Sequence, residues 1–204
     1  MADGTHARSA LITGASRGIG LAIARRLAER NMALTITARN EEALATVRQD
    51  LRELGSPSVL SVAADMADPD APVGVIQRHR DEYGDMSALI LNAGVGTAGP
   101  IADYPLKRLD KTIAVNFRSP FVLIQEALPL LRSAVDRHPS EGAKIVVLSS
   151  ITAIYAEAQL AAYGASKAAI ASLVDTLNPL ARSRLPTSTL TCRSGCVAAS
   201  LPKK

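Results

Sequence analysis

Ser9-Ala10-Leu11-Ile12-Thr13-Gly14-Ala15-Ser16-Arg17-Gly18-Ile19-Gly20 decides how the rest of the chain is read. Its first five residues make a short apolar strand. Three glycines spaced G-x-x-x-G-x-G follow, and residues 21–30 then repeat their apolar positions at helical intervals. Strand, glycine-rich turn and helix in that order form a cradle for a pyrophosphate. The glycines let the backbone turn tightly and approach the anion, and the helix N-terminus offers it free N–H groups and a partial positive charge. The spacing is not the more common G-x-G-x-x-G, and a glycine-rich turn by itself is weak evidence. Its seat between a strand and a helix carries the inference. Gly14, Ser16, Arg17, Gly18, Ile19 and Gly20 are therefore candidate dinucleotide contacts.

Further strands follow at a regular rhythm: residues 33–38, 59–64, 86–91 and 144–149, separated by helical patterns over 41–54 and over 68–83, the latter with an irregular start at Pro69 and Pro72. Strands alternating with helices call for a parallel sheet covered on both faces. The fold class is α/β, a Rossmann-type doubly wound sheet in three layers with strand order 3-2-1-4-5-6. The second strand ends in Arg39-Asn40 with no acidic residue. An acid near this point holds the ribose 2′-hydroxyl of NAD, whereas an arginine accommodates a 2′-phosphate. Arg39, with Arg17 reaching the same group, favours NADP(H), with NAD(H) as the alternative cofactor. Arg39 as a plain surface residue is the competing explanation.

Chemistry is carried by Tyr163-Gly164-Ala165-Ser166-Lys167 and by Ser150, thirteen residues earlier. Tyr163 and Lys167 are four apart and share a helix face. An ammonium that close favours the phenolate and poises the tyrosine to pass a proton to or from a reacting oxygen. Ser150 closes the apolar strand 144–149 and is placed to hold that same oxygen. Ser149 next door points to the opposite face, since one step along a strand reverses the side chain. All three groups would meet at the carboxyl edge of the sheet, where open α/β sheets bind ligands. A Y-x-x-x-K pair alone is common and is more often a structural helix pair; the surrounding pattern is what lifts it.

Hydrophobic residues make up 48% of the 204 residues, which excludes a disordered chain, and tryptophan is absent, so the core is Ala, Val, Ile and Leu. The net charge of +4 is scattered and carries no aromatic-basic stripe, so no nucleic-acid partner is expected. Cys192 and Cys196 are spaced C-x-x-x-C, and His6, His79 and His138 form no cluster, so no metal is expected. No apolar run reaches membrane-spanning length and residues 1–6 lack the shape of a signal peptide. The expectation is a single domain in the cytoplasm with no membrane partner.

With these residues in view, the chain resembles the short-chain dehydrogenase/reductase superfamily, in particular its ketoacyl-carrier-protein-reductase-like and carbonyl-reductase-like members. The resemblance spans residues 7–180 of a single NAD(P)-binding domain, 1–204, and leaves 181–204 as an atypical tail. It implies that Thr13 to Gly20 is the family's glycine motif and that Asn92-Ala93-Gly94 braces the sheet and borders the cofactor. It implies that Asp65 contacts the adenine ring with Met66 beside it, and that Asn40 joins Arg39 at the cofactor. Asn116, Ser150, Tyr163 and Lys167 would form the catalytic tetrad. In it Tyr163 is the acid in reduction and the base in oxidation, Lys167 holds the nicotinamide ribose, and Ser150 orients the carbonyl. Asn116 would help hold Lys167 through a water; the alternative is a helix amide satisfying the kink that Pro120 imposes.

The implied function is hydride transfer between NADPH and a small carbonyl or alcohol substrate, with loops 95–100 and 151–160 lining its pocket. The helices over 107–131 and 161–180 carry long apolar faces, and the resemblance implies that they pair into a homodimer or homotetramer. The tail departs from the pattern. A sixth strand fits residues 187–192, no proline precedes Gly195, and the helical lid and last strand of relatives are expected to be missing. A non-catalytic nucleotide-binding or assembly module is therefore the rival function.

Overall fold

The computed structural model describes residues 7–182, 191–192 and 196–201. Five strands build its centre: β1 (Ser9–Thr13), β2 (Ala33–Ala38), β3 (Val59–Ala63), β4 (Ala88–Leu91) and β5 (Ala143–Leu148). They pair in parallel in the order β3-β2-β1-β4-β5. Every residue of β1 is buried, as a strand covered on both faces requires. The alternation of side chains splits the interior into two cores. Ala10 and Ile12 pack with Leu34, Ile36, Leu44 and Leu51 on one side, while Leu11 packs with Ile76, Leu89 and Leu123 on the other. The first core is covered by α1 (Gly18–Ala28) and α2 (Glu41–Glu53), the second by α3 (Ala71–Tyr83), α5 (Ser119–Arg137) and α6 (Ala161–Arg182). Each large aliphatic side chain so buried contributes about 1.5–3 kcal/mol.

Two helix starts differ from the sequence expectation. α1 begins at Gly18 rather than Leu21, inside the glycine motif itself. α3 begins at Ala71, because Asp65 and Asp68 turn their carboxylates onto the amides of Ala67 and Asp70 and hold the chain in successive tight turns. The long helix expected over 107–131 is divided. α4 (Leu106–Ile113) runs into a π-helical turn, Ala114–Arg118, and α5 then starts with Pro120 in its first turn. Proline has no N–H to donate, so widening the helix just before it removes the mismatch and turns Asn116 inward.

The edge beyond β5 needs correction. A sixth strand over 187–192, and no strand after it, was the expectation. Within the described residues only Thr191–Cys192 is strand (β6), and it lies outermost. The place beside β5 is taken by β7 (Cys196–Leu201), which runs antiparallel to β5, with Val147 opposite Val197 and Leu148 opposite Cys196. β6 and β7 form an antiparallel pair. A tail that follows β6 directly, with no crossover helix, can only return in the opposite direction, so the sheet gains an antiparallel edge. Thr187 to Leu190 lie outside the described residues.

Candidate active site

The glycine turn leaves β1 at Thr13 and is fastened at several points. Thr13 Oγ1 accepts from the amides of both Asn92 and Ala93 at 3.0 Å, and Asn92 Nδ2 donates to the carbonyls of Thr13 and Gly14 at 3.0 and 2.9 Å. The amides of Gly14 and Ala15 reach Thr37 O at the end of β2. Gly14 and Gly18 hold φ of 67° and 60°, the left-handed region that only glycine enters at no cost. A Cβ on Gly20 would lie 2.4 Å from Gly14 O and 2.5 Å from Asn92 Nδ2, so only glycine lets the first turn of α1 close onto the loop. The amides at the start of α1 receive no side-chain cap from Arg17 and no acidic side chain stands in the first turn. Amide donors left uncapped by side chains in this way are of the kind that holds a phosphate.

A cleft of about 810 Å³ lies over this turn, at the carboxyl ends of β1, β2 and β4. All of the candidate cofactor residues read from the sequence other than Gly20, Tyr163 and Lys167 line it: Gly14, Ser16, Arg17, Gly18 and Ile19 on the turn, Arg39 and Asn40 after β2, Asp65 and Met66 after β3, and Asn92, Ala93 and Gly94 after β4. Gly20 sits behind the wall. Asn40 also caps α2 by accepting from the Ala43 amide at 2.7 Å. Met66 is buried beneath Ser119, whose hydroxyl donates to its sulfur. The residues therefore fit a dinucleotide: a glycine cradle where Gly20 has no room for a Cβ, an uncapped helix end, and two exposed arginines in the lining of the groove.

The reactive groups stand beside the cleft, next to Gly94. Lys167 is 6% exposed and its Nζ donates to Leu148 O, the last residue of β5, at 2.8 Å. The same ammonium lies 5.8 Å from the centre of the Tyr163 ring. Burial pushes the Lys167 pKa down from its ordinary value. Gly96 packs beneath the Tyr163 ring, where an added Cβ would lie 3.5 Å from Cδ2, and a Cβ on Gly94 would lie 3.4 Å from both Lys167 Nζ and Asn116 Oδ1. Gly94 thus joins the cofactor cleft to the Tyr163–Lys167 end.

Asn116 does not bond Lys167. Its amide closes both backbone groups of Val95, accepting from the N–H at 2.9 Å and donating to the carbonyl at 2.8 Å, and also donates to Ser166 Oγ at 3.0 Å. It clamps the loop after β4 onto α6. The two serines diverge as the strand geometry demands: Ser149 donates to Lys167 O at 3.0 Å, while Ser150 caps the 3-10 turn Ile151–Ala153. The sequence alone assigns no role of their own to Thr13, Ser166 and Thr152. A threonine before the turn, a serine between Tyr163 and Lys167 and a threonine two beyond Ser150 are ordinary by type, and only their partners give them meaning. Among the described residues no helix is long and apolar enough to cross a membrane, and no group of His, Cys, Asp or Glu is arranged to hold a metal.

The family model for short chain dehydrogenase matches residues 8–189. Versicolorin reductase stcU of Emericella nidulans is 34% identical over 170 residues, which cover 82% of this chain and 61% of that protein. 11-beta-hydroxysteroid dehydrogenase 1A of Arabidopsis thaliana is 32% identical over 176 residues, covering 86% of this chain and 48% of its own. A metagenomic short-chain oxidoreductase solved in complex with NADP superposes with a TM-score of 0.78 at 32% identity, over 86% of this chain and 77% of that one. NAD⁺-bound xylitol dehydrogenase does so with a TM-score of 0.75 at 29% identity, over 84% and 64%. The chain spans 48% and 61% of the two curated relatives' lengths.

Proposed function

The chain belongs to the short chain dehydrogenase family, and from that premise we propose that it is an NADP(H)-dependent oxidoreductase acting on a carbonyl or alcohol. The observation that carries this reading is the Lys167 ammonium beside the Tyr163 ring, next to Gly94 of the glycine-lined cleft. The bound cofactor would supply or accept the hydride at the substrate carbon. The first turn of α1 and the glycine loop would hold its pyrophosphate, Asp65 and Met66 would border the adenine, and Lys167 would hold the nicotinamide ribose. In reduction Tyr163 gives its phenolic proton to the oxygen as negative charge develops there, and Ser150 shares that charge by a hydrogen bond. In oxidation the tyrosine takes the proton back. Asn116 acts on this set through the loop it clamps, which carries Gly96 under the Tyr163 ring.

NADP(H) is preferred over NAD(H) on this reading. No carboxylate stands at the end of β2, and Arg39 and Arg17 both line the cleft and can pair with a 2′-phosphate. The substrate is a small carbonyl or alcohol compound, and the protein works in the cytoplasm. It assembles at least as a dimer. Ile113 of α4 and Phe121 of α5 are 36% and 46% exposed on one helical surface, and a partner's helices would cover them. A monomer by light scattering at micromolar concentration would contradict the assembly.

Titration of the 204-residue chain with NADPH and with NADH, read by nicotinamide fluorescence, tests the cofactor site. NADPH oxidation with ketones, quinones and ketoacyl thioesters then tests the chemistry. Tight NADPH binding with turnover on at least one carbonyl is the expected result. Binding without turnover on any would replace the enzyme by a nucleotide-binding module, and no binding of either cofactor would overturn both.

A further inference from the structure

Ser150 Oγ accepts two hydrogen bonds from one residue: from the Thr152 amide at 3.2 Å and from Thr152 Oγ1 at 2.9 Å. A serine hydroxyl has two acceptor positions and one donor. Thr152 fills both acceptor positions, so the Ser150 proton is directed away from Thr152. Among the described residues no other side chain or backbone group bonds Ser150 Oγ. The hydroxyl is thereby left as a committed donor. A hydroxyl free to turn would spend part of its time accepting, which does nothing for an oxygen gaining negative charge.

Thr152 is itself held against the helix that carries Tyr163. A Cβ on Gly164 would lie 3.1 Å from Thr152 O and 3.9 Å from Thr152 Cβ, so the turn Ile151–Ala153 rests on α6 one residue beyond the tyrosine. Gly164 in turn donates to Leu160 O at 2.7 Å, which fixes the start of the helix. The residue that directs the Ser150 proton therefore packs against the helix that carries Tyr163.

We infer that Thr152 is a positioning residue of this site, whose hydroxyl orients Ser150 as a hydrogen-bond donor to the substrate oxygen. The inference rests on the oxidoreductase reading above. It assigns to the Thr152 hydroxyl a role in catalysis exerted through Ser150.

The test compares Thr152→Val, which keeps the shape and removes the hydroxyl, with Thr152→Ser, which keeps the hydroxyl. The same Thr152→Val change is also made in a Ser150→Ala background. The readouts are NADPH oxidation with 2,3-butanedione or an acetoacetyl thioester, and NADPH affinity by fluorescence. T152V lowers kcat about tenfold, the worth of one oriented hydrogen bond in the transition state, with NADPH affinity unchanged. T152S recovers most of that loss. With Ser150 already replaced by alanine, T152V costs little more, because the group it orients is gone. An equal cost of T152V in both backgrounds, or a T152S variant as impaired as T152V, would overturn the inference while leaving the enzyme reading intact. A wild-type chain that binds NADPH and turns over no carbonyl would overturn the enzyme reading and this inference with it.

Discussion

Lys167 Nζ donates to Leu148 O at 2.8 Å, so the one buried ammonium of α6 is tied to the carboxyl end of β5 rather than left free beside Tyr163. Burial works against that charge, and the carbonyl together with the face of the Tyr163 ring, 5.8 Å away, is what it gains in return. The lysine can therefore act on the tyrosine only from a fixed position, and its length matters as well as its charge. Replacing it with methionine, which fills similar volume without charge, should lower turnover by about 100-fold or more, the usual worth of an acid–base system. Steady-state NADPH oxidation by Lys167→Met decides this. A variant retaining a tenth of wild-type kcat would remove Lys167 from the chemistry.

A second buried titratable group sits at the opposite end of the sheet. His79 is fully buried, with Nδ1 2.8 Å from Thr35 Oγ1 and Nε2 2.9 Å from Asp85 O and 3.2 Å from Ser9 Oγ. Tyr83 stands edge-on to its ring, and Asp85 is engaged by Arg137 at 2.8 Å. Burial lowers the His79 pKa from 6.5 to about 4, partly opposed by its hydrogen bond to the Asp85 backbone. Above pH 6.5 the imidazole is neutral in both folded and unfolded chains. As pH falls from 6.5 towards 4 the unfolded chain takes up a proton that the folded chain does not, so stability is lost across that window and levels off below it. The loss is on the order of 3 kcal/mol. Urea unfolding of wild type and His79→Gln at pH 7 and pH 4 should give a fall smaller by about that amount in the variant. Parallel pH dependences would mean that the imidazole is not held neutral.

Asn116 satisfies both backbone groups of Val95 and reaches Ser166, so alanine there leaves the Val95 N–H and carbonyl without a partner and Ser166 Oγ with only its bond to Tyr163 O. The cost to stability should be about 2–4 kcal/mol. The loop it releases carries Gly96 under the Tyr163 ring, so kcat should fall further than NADPH affinity does. Thermal unfolding together with fluorescence titration of Asn116→Ala separates the two effects. An unchanged melting temperature would show that the clamp is not rigid.

These cases show what could be read from the sequence and what could not. The unit from β1 to β2 was legible because its signals are local: strand alternation, glycine spacing and a helical repeat all lie within thirty residues. The pairing of Tyr163 with Lys167 was legible for the same reason, as an i, i+4 relation. The bond from Lys167 to Leu148, the clamp from Asn116 to Val95 and Ser166, and the burial of His79 link residues that only the folded sheet brings together. The start of α1 was misplaced because glycines read as turn formers, whereas here Gly18 and Gly20 begin the helix so that its amides face the cleft. β7 was missed because Val197-Ala198-Ala199 is short, small and equally compatible with helix. Its strand state comes from the antiparallel partner β5, which lies fifty residues away.

Gly20 offers the most direct test of the cradle. A Cβ at this position meets Gly14 O at 2.4 Å and Asn92 Nδ2 at 2.5 Å, and the first of these is backbone that can move only by opening the turn. Gly20→Ala should cost about 1–3 kcal/mol and abolish tight NADPH binding, since the amides of the turn and of α1 no longer converge. The neighbouring Gly18, with nothing within 4 Å of its added Cβ, is constrained by its φ of 60° alone, so Gly18→Ala should be the milder change. Chemical denaturation and cofactor titration of the two variants check that order. A Gly20→Ala chain that binds NADPH like wild type would mean that the turn is not the phosphate site.

Arg39 is the residue on which the proposed preference for NADP(H) is tested. It follows β2 directly, is exposed, and lines the cleft, as does Arg17 on the glycine turn. A 2′-phosphate placed between two guanidinium groups would gain a charge-assisted pair from each, while the 2′-hydroxyl of NADH would gain little from either. Arg39→Ala should therefore weaken NADPH binding by about 10- to 100-fold and leave NADH binding within about twofold. Because both arginines are exposed, wild-type NADPH affinity should fall with added salt, and the variant should show a shallower dependence. Arg39→Asp would go further, repelling the phosphate and offering a carboxylate to the ribose hydroxyls, so that the order of preference reverses. Fluorescence titration of the three chains with both cofactors at two salt concentrations gives all of these numbers. Equal loss of NADPH and NADH in Arg39→Ala would assign the arginine to the shape of the loop after β2 and leave the cofactor preference to Arg17 alone.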